Sequence, residues 1–310
     1  MPATILSGKA IAKQITDEVA QEVSDLREIH GFTPRLDVVR VGNDAASEVY
    51  VGNKVKMAAE IGIKSEHHHL PDDTSSEDIL SLVRQLSDDN DVDGILVQLP
   101  LPSQIDERTV LEAIDPDKDV DGFHPVNVGR LNLAHQALVP CTPAGVIEIL
   151  KRSAIEIAGK HAVIAGRSNI VGKPMAALLL RENATVTICH SRTHDLPSIT
   201  GQADILVAAI GRPAFVTAEH IGEGATVIDV GINRFEDRNA VAVTFPDDEI
   251  EKRMAAIENR GSTLIGDVNQ RDAMAKAAHF TPVPGGVGLL TVAMLMKNTV
   301  EASKNRRGIE

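Results

Sequence analysis

Short runs of consecutive Val, Ile, Leu and Ala recur along this chain, and amphipathic helical stripes separate them. In the first half the runs are "RLDVVRVG", "IGIKSEHHHL" and "DGILVQLPL". In the second half they are "HAVIA", "ATVTICH", "ADILVAAIG" and "ATVIDVG", with a short run at "TLIG". Near-continuous apolar strands are typical of parallel sheets covered by helices on both faces. The alternation therefore predicts an α/β protein built from βαβ units.

Two domains are expected, with a cleft between them. The chain has 310 residues, enough for two hydrophobic cores, and with only 2% aromatic residues those cores must be aliphatic. The strand–helix alternation closes near "PCTPAG" and restarts at "KHAVIAG". We place an N-terminal three-layer α/β domain at 1–141 plus 284–310, and a Rossmann-type parallel-sheet domain at 142–283. The last apolar helix, "VGLLTVAMLMKNTVEA", is expected to pack back on the first domain.

Local signals fix several element ends. An apolar stripe from Ser7 to Ile29 predicts the first helix. Ser47 is the predicted N-cap of the second helix, and "TSSE" at Thr74–Glu77 has the form of a capping box for the third. The interval Phe235–Gly261 is acidic and irregular, and we interpret it as a surface excursion rather than core.

Composition excludes several functions. The net charge of −13, without a basic block, argues against a nucleic-acid or anionic-membrane surface. No run approaches the roughly 20 apolar residues of a membrane span, and the N-terminus lacks signal-peptide features. Cys141 and Cys189 fit no metal spacing and indicate a reducing compartment, so a cytoplasmic protein is expected. The triplet His67–His69 alternates along a predicted strand, so these rings cannot all face one ion, and no metal site is expected.

The segment "AVIAGRSNIVGKPMAALLL" has the layout of a dinucleotide-binding turn. Gly166 allows a tight turn after a strand, and Gly172 opens a helix whose N-terminus attracts a pyrophosphate. The usual G-x-G-x-x-G spacing is absent, so a tight turn without ligand stays an alternative. The next strand ends in Ser191 and Arg192, where an NAD site usually carries an acid. Together with Arg167 these residues favour the 2′-phosphate of NADP.

A second group of polar residues lies in the first domain. Tyr50, the only tyrosine, shares a helix face with Lys54 at i+4, whereas Lys56 points elsewhere. Gln98 ends an apolar strand, where open α/β sheets place ligand contacts. The loop "DKDVDGFHP" adds Asp117, Asp119 and Asp121. A solvated helix face and an Asp-rich loop that only caps helices are the structural alternatives.

Seven motifs carry a resemblance to a known family: "YVGNK", "GILVQLPLP", "DKDVDGFHPVNVGRL", "PCTP", "GRSNIVGKP", "VIDVGIN" and "TPVPGGVG". In this order and spacing they resemble the bifunctional methylenetetrahydrofolate dehydrogenase/methenyltetrahydrofolate cyclohydrolases of the FolD type, over essentially the whole chain. The resemblance implies NADP-dependent oxidation of 5,10-methylenetetrahydrofolate and hydrolysis of the methenyl product to 10-formyltetrahydrofolate, in one-carbon metabolism. It also implies a homodimer and tetrahydrofolate substrates, with or without a polyglutamate tail.

The resemblance also implies roles for individual residues. The implied catalytic residues are Lys54, Gln98, Tyr50 and Asp121. The implied substrate-binding residues are Tyr50, Gln98, Leu99, Asp121, Pro282, Gly285 and Gly286. The implied cofactor-binding residues are Gly166, Arg167, Ser168, Ser191, Arg192 and Ile232.

Two departures and two alternatives accompany these expectations. Leu289 stands where the family commonly has proline, and the interval between Asn233 and Gly266 is longer than is common. One alternative is an NADP-dependent dehydrogenase of another small substrate, of the shikimate type. The other is a catalytically silent folate-binding or scaffolding protein.

Overall fold

The computed structural model describes residues 2–309, which form two compact units. One unit contains residues 12–141 and 292–309, and the other contains residues 2–11 and 142–291. We call them the three-strand unit and the six-strand unit, after their parallel sheets. The domain limits proposed from the sequence placed residues 1–11 and 284–291 in the first domain instead. Residues 2–11 and 284–291 belong to the compact six-strand unit.

Strands and helices alternate along most of the chain, as predicted. The strands are β1 Thr4–Ile5, β2 Arg35–Val41, β3 Lys64–Leu70, β4 Gly94–Val97, β5 His161–Ala165, β6 Thr185–Cys189, β7 Ile205–Ala208, β8 Thr226–Asp229, β9 Asn233–Phe235, β10 Thr263–Ile265 and β11 His279–Phe280. The helices are α1 Gly8–His30, α2 Ala45–Ile61, α3 Ser76–Asp88, α4 Glu107–Glu112, α5 Pro125–Asn132, α6 Cys141–Arg152, α7 Gly172–Arg181, α8 Leu196–Thr200, α9 Val241–Thr244, α10 Ile250–Arg260, α11 Gln270–Lys276 and α12 Val287–Arg307. Among residues 2–309, no helix combines the length and apolar character that a membrane span needs.

The three-strand unit has the strand order β3-β2-β4, with both neighbouring pairs parallel. Its central strand is buried from Leu36 to Val41. The C-terminal part of α12 packs here, because Asn298 Nδ2 donates to the carbonyl oxygens of Val120 and Val139 at 2.8 and 2.9 Å. This contact confirms the predicted return of the last helix.

Both predicted caps in this unit were wrong in position. The N-cap of α2 is Asp44, whose Oδ1 accepts a hydrogen bond from Ser47 N at 2.7 Å. The N-cap of α3 is Ser75, whose hydroxyl accepts from Asp78 N, whereas Thr74 donates its own hydroxyl to Pro71 O. Cap residues reach the N–H two or three residues ahead, so neighbouring Asp, Ser and Thr residues compete for the position.

The six-strand unit has the order β1-β11-β8-β7-β5-β6, and every pair in this sheet is parallel. Its central strands β5, β7 and β8 are almost completely buried. The short β1 pairs with β11 at one edge, which draws the N-terminal residues into this unit. The opposite edge is β6, for which β5 is the one strand neighbour within residues 2–309.

The interval that we interpreted as a surface excursion has a small core of its own, so that interpretation was wrong. We call residues 233–265 the inserted segment. Its ends pair as the antiparallel strands β9 and β10, and α9 and α10 lie between them. The buried apolar side chains of this core are Phe235, Val241, Phe245, Ile257 and Ile265. They are too widely spaced to produce a periodic signal, and they meet only when the strands and helices close together.

Candidate active site and dinucleotide site

Lys54 and Gln98 meet at the carboxyl end of β4. Helix α2 carries the half-buried Lys54, whose Nζ donates a hydrogen bond to Gln98 Oε1 at 3.0 Å. The same amide donates through Nε2 to Leu99 O at 2.7 Å, and the Gln98 backbone N–H donates to Val39 O on β2. The Leu99 carbonyl therefore fixes which side of the amide faces the lysine. This orienting contact had no signal in the sequence beyond the position of Leu99.

Helix α2 carries two lysines, Lys54 and Lys56, which lie in different environments. Tyr50 precedes Lys54 by one turn and is 43% exposed, so part of its side chain is accessible to a ligand. The Lys56 side chain is 76% exposed and its Nζ lies 3.8 Å from Glu60. Lys56 is therefore a solvated cation with a weak surface partner.

The three aspartates of the segment "DKDVDGFHP" have separate partners. Asp117 is exposed and pairs with Arg130 at 3.1 Å. Asp119 is buried, and its carboxylate accepts hydrogen bonds from His124 N and Asn127 Nδ2. Asp119 thus holds the loop together, which the sequence pattern did not distinguish from a ligand contact. Asp121 interacts electrostatically with Lys54.

The pKa of Asp121 lies above the ordinary value of an aspartate. Burial raises its pKa to about 6; the positive charge of Lys54 opposes this shift and the negative charge of Asp119 adds to it. The Cys141 thiol lies 4.0 Å from Asp121 Oδ1 and donates to Val120 O. Burial raises the pKa of Cys141 well above its ordinary value, so this neighbour stays a neutral thiol. Asp121 therefore changes charge close to physiological pH.

One trio of residues has metal-ligand geometry within the described part of the chain. Ligand atoms of Asp37, Glu66 and His68 lie within 4.8 Å of one another on β2 and β3. Arg35 already contacts both carboxylates, with distances of 2.7 Å to Asp37 and 2.9 Å to Glu66. The guanidinium supplies the positive charge that a metal would bring, so we interpret the trio as an ion-pair cluster.

A cavity of about 270 Å³ lies at the carboxyl ends of β5, β6 and β7. Gly166 follows β5 with φ of 141°, and a Cβ there would lie 2.1 Å from Ala209 O. A Cβ on Gly172 would lie 2.3 Å from Gly166 O. Only glycine fits either position, so the backbone of β7 and the start of α7 can approach the turn closely. Ser168 Oγ accepts hydrogen bonds from Val171 N and Gly172 N, which caps the start of α7.

The lining of this cavity suits an anionic nucleotide. It contains no Asp or Glu among residues 2–309, and its polar side chains include Arg167, Ser168, Ser191 and Arg212. Arg212 was missed from the sequence; its guanidinium carbon lies 4.1 Å from the Phe215 ring centroid. Arg192 and Ile232 were expected here but are not lining residues. The Arg192 backbone N–H donates to His190 Nδ1, and the Ile232 side chain is 47% exposed.

The loop beside this cavity is held by a buried carboxylate. Asp267 accepts hydrogen bonds from the backbone N–H groups of Ile210, Gly211 and Arg212, at 2.5, 2.9 and 2.9 Å. It also accepts from Asn233 Nδ2 at 3.0 Å. Ile210 and Arg212 line the cavity, so Asp267 positions one of its walls. The sequence places Asp267 in "IGDV" without indicating these partners.

A second carboxyl supports Asp267. Asp229 is buried at the end of β8 and accepts from the backbone N–H groups of Gly231, Asp267 and Val268. Burial raises the pKa of Asp229 to about 8; the three N–H donors oppose this shift and the charge of Asp267 adds to it. At neutral pH Asp229 therefore carries a proton for much of the time, which limits the repulsion between the two acids.

The remaining predicted substrate residues lie between β11 and α12. We call residues 281–286 the channel loop. Gly285 has φ of 106°, and its carbonyl oxygen accepts a hydrogen bond from Gly8 N at 2.9 Å. A Cβ on Gly286 would lie 2.5 Å from Pro282 O, so the loop is a tight turn that requires both glycines.

Two family models match the chain. Residues 6–121 match the catalytic domain of the tetrahydrofolate dehydrogenase/cyclohydrolases, and residues 140–307 match their NAD(P)-binding domain. The chain is 56% identical over 308 residues to the bifunctional protein FolD of Koribacter versatilis, covering 99% of each chain.

Solved structures agree over the same length. The FolD methylenetetrahydrofolate dehydrogenase/cyclohydrolase of Campylobacter jejuni has a TM-score of 0.88 at 42% identity, covering 98% of this chain and 99% of that one. The Trypanosoma brucei enzyme, complexed with NADP cofactor and an inhibitor, has a TM-score of 0.88 at 39% identity, covering 99% of each chain.

Asp267→Asn is expected to weaken NADP binding about tenfold. Each carboxylate oxygen accepts two of the four hydrogen bonds, so an amide leaves two donors without an acceptor. Loss of such contacts to a charged group costs at least about a factor of ten. Fluorescence titration with NADPH measures the dissociation constant, and circular dichroism checks the fold. Asp272→Asn is the matched control, because Asp272 accepts one backbone N–H, from Ala218, and does not line the cavity. Equal dissociation constants for Asp267→Asn and the unsubstituted enzyme would show that the loop does not depend on this carboxylate.

Proposed function

The chain belongs to the tetrahydrofolate dehydrogenase/cyclohydrolase family, and we propose that Lys54, Gln98 and Asp121 form the centre at which it converts its folate substrate. The enzyme oxidises 5,10-methylenetetrahydrofolate with NADP and hydrolyses 5,10-methenyltetrahydrofolate to 10-formyltetrahydrofolate. The hydrogen bond from Lys54 Nζ to Gln98 Oε1 is the observation that carries the proposed centre.

The two alternatives are less well supported than the bifunctional enzyme. Both domain models match, and relatives named for the bifunctional activity cover nearly the whole chain. A dehydrogenase of another small substrate would not be expected to match a cyclohydrolase catalytic domain. A silent folate-binding protein would have no need to keep a lysine that is hydrogen-bonded to a neutral amide at a strand end.

The oxidation needs orientation more than proton transfer. Bound NADP⁺ supplies the hydride acceptor. The substrate nitrogens donate their lone pairs as the bridging methylene carbon loses its hydride, and no hydroxyl is deprotonated. The protein therefore contributes by holding the reacting carbon in position. Tyr50 offers the accessible part of its side chain to the folate, which suits a planar, largely apolar ring system.

The hydrolysis requires proton transfer, which we assign to Lys54. Water adds its oxygen to the methenyl carbon, and neutral Lys54 accepts the proton that the water releases. The adduct then carries a hydroxyl on the former methenyl carbon. Lys54 returns its proton to the substrate nitrogen whose bond to that carbon breaks, and the hydroxyl releases its proton to solvent as the C=O bond forms, which leaves the formyl group on the other nitrogen. Gln98 suits this cycle because its amide oxygen holds Nζ in position and adds no negative charge of its own beside that of Asp121.

Asp121 is assigned to recognition of the pterin. The pterin edge presents an N–H and an amino group side by side, and a carboxylate accepts both hydrogen bonds at once. The ionised carboxylate can accept both hydrogen bonds. In the protonated form one oxygen carries a proton, so only the other oxygen remains a good acceptor. A pKa of about 6 makes this recognition depend on pH. Pro282, Gly285 and Gly286 of the channel loop, together with Leu99, are proposed to contact the rest of the folate.

For NADP we assign Gly166, Arg167 and Ser168 to the pyrophosphate turn, and Ser191 to the 2′-phosphate. Arg212 joins this group because it lines the same cavity. Arg192 keeps its assignment to the 2′-phosphate, and Ile232 keeps its assignment to the nicotinamide through its backbone.

The enzyme is further proposed to be a cytoplasmic homodimer. The edge strand β6 carries Ile188, which is 42% exposed, and Leu180 on α7 is 64% exposed. An apolar strand edge invites pairing with a second copy. Both cysteines are free and buried, which suits a reducing compartment. We expect a dimer by light scattering after size exclusion and a monomer for Ile188→Glu; a monomeric unsubstituted enzyme would contradict the proposal.

Lys54→Met is expected to lower the cyclohydrolase kcat by at least a hundredfold, since a positioned proton-transfer group contributes about that much or more. The dehydrogenase rate should fall less, because hydride transfer releases no proton to the protein. Hydrolysis is followed by the loss of methenyl absorbance, and NADPH titration checks the cofactor site. Lys56→Met is the matched control, from the same helix but with a solvated side chain. A normal hydrolysis rate in Lys54→Met would refute the role of Lys54.

The KM for methylenetetrahydrofolate is expected to rise as pH falls through about 6. Asp121 is ionised above its pKa of about 6 and protonated below it, so folate recognition is present at neutral pH and lost in acid. Initial rates at pH 5 to 8 measure the profile. In Asp121→Asn the KM should be high and should not depend on pH in this range. Asp117→Asn, in the same loop, should keep the unsubstituted profile; the same rise in Asp121→Asn would assign the titration to another group.

A further inference from the structure

The buried carbonyl of Val283, in the middle of the channel loop, receives two side-chain hydrogen bonds from outside the loop. Gln270 Nε2 donates to it at 2.7 Å and Arg253 Nη2 at 3.2 Å. All three residues are at most 6% exposed. Gln270 lies at the start of α11, whereas Arg253 lies on α10, within the inserted segment. A segment that is longer than common in the family therefore contacts the loop that we assign to the folate.

Arg253 has its other contacts inside the inserted segment. Its Nη1 donates to Leu264 O at 2.9 Å and to Thr263 Oγ1 at 3.3 Å. Its Nε lies 2.9 Å from Glu249 Oε2, and its guanidinium carbon lies 4.6 Å from the Phe245 ring centroid. A buried guanidinium costs free energy unless its donors are met. Here Nη1 makes two hydrogen bonds, and Glu249 lies beside Nε as an ion-pair partner without a hydrogen bond. The guanidinium is therefore held mainly through Nη1, while Nη2 reaches Val283.

The channel loop is held on its other side by the N-terminal part of the chain. The Gly285 carbonyl accepts from Gly8 N, and a Cβ on Gly8 would lie 1.9 Å from Gly286 O. At its start, Thr281 N donates to Val227 O on β8. The loop is thus fixed at Thr281 and Gly285 by elements close to the sheet. Between these points, Val283 depends on the two side chains.

We propose that Arg253 is a positioning residue for the folate reaction, which acts through the Val283 carbonyl to hold Pro282, Gly285 and Gly286 in their substrate-binding arrangement. Through Arg253 the inserted segment therefore supports the channel loop, and we call this support the brace. This inference rests on the proposed function, in which the channel loop contacts the folate. Arg253 itself touches neither substrate nor cofactor.

A positioning role differs from a purely structural one in its kinetics. If Arg253 only stabilised the fold, its loss would reduce the fraction of active enzyme and the apparent kcat, and would leave the KM for folate unchanged. If it positions the loop, the KM for methylenetetrahydrofolate rises while the dissociation constant of NADPH stays the same. The cavity lining includes neither channel-loop residues nor Arg253, so NADPH binding is an internal reference.

The experiment compares Arg253→Met, Arg253→Lys and Gln270→Leu. Each methionine or leucine variant is expected to raise the folate KM about tenfold, the usual effect of removing one hydrogen bond to a buried group. Arg253→Lys retains a donor and should lie between Arg253→Met and the unsubstituted enzyme. In the double variant Arg253→Met/Gln270→Leu, the rise in KM should exceed the product of the two single rises, because the buried carbonyl is then left without either side-chain donor. Arg238→Met is the control: it removes an exposed ion pair with Glu258 from the same inserted segment.

Pro282→Ala separates failure of this inference from failure of the proposed site. A raised KM in Pro282→Ala with an unchanged KM in Arg253→Met and Gln270→Leu would overturn the brace alone. An unchanged KM in Pro282→Ala would overturn the folate role of the loop, and the brace with it. A parallel loss of folate and NADPH binding in Arg253→Met would show a structural role only. If Arg253→Met does not fold, Gln270→Leu decides the question, since Gln270 lies outside the inserted segment.

Discussion

In a parallel sheet the carboxyl ends of all strands lie at the same edge, and this constraint determines where the proposed sites of both units lie. Strands β4, β5 and β7 are buried and apolar, so the polar side chains of these sites come from the loops that follow them. In the three-strand unit that place holds Gln98, after β4, which reaches Lys54 on α2. In the six-strand unit it holds the glycine turn after β5 and the loops after β6 and β7, which together line the cavity.

The loops at these edges then need partners for their own polar groups, and a few buried side chains supply them. The Asp267 carboxylate accepts hydrogen bonds from three backbone N–H groups of the loop after β7. Asp229 in turn accepts a hydrogen bond from the backbone N–H of Asp267. Arg253 and Gln270 meet the Val283 carbonyl in the same way. A buried carboxylate or guanidinium loses its hydration, so the partners that it finds hold both the group and the loops it contacts. The loops that we propose to bind ligands are therefore held by residues for which we propose no ligand contact.

Sequence patterns predicted those parts of this architecture that depend on local chemistry. Apolar runs and helical stripes gave the strands and most helices, and the pairing of Tyr50 with Lys54 followed from helix geometry. Contacts between distant segments could not be predicted, because a pattern of spacing does not contain them. Nothing around Asp267 indicates that it contacts residues more than 50 positions earlier. The core of the inserted segment was missed for the same reason, since its phenylalanines touch only in the closed structure, with ring centroids 5.4 Å apart.

Two lysines in the three-strand unit differ in their hydrogen-bond partners, and this difference supports the proposal that Lys54 transfers protons. Lys118 is 1% exposed, and its ammonium group donates to three backbone carbonyl oxygens, those of Leu86, Ser87 and Asp89. Burial lowers the pKa of Lys118, but release of a proton would leave one of these acceptors unmet. Lys54 has one hydrogen-bond partner among the described residues, and that partner is a neutral amide. The proton transfer that we propose for Lys54 would therefore disturb one hydrogen bond to a neutral amide rather than a set of buried contacts.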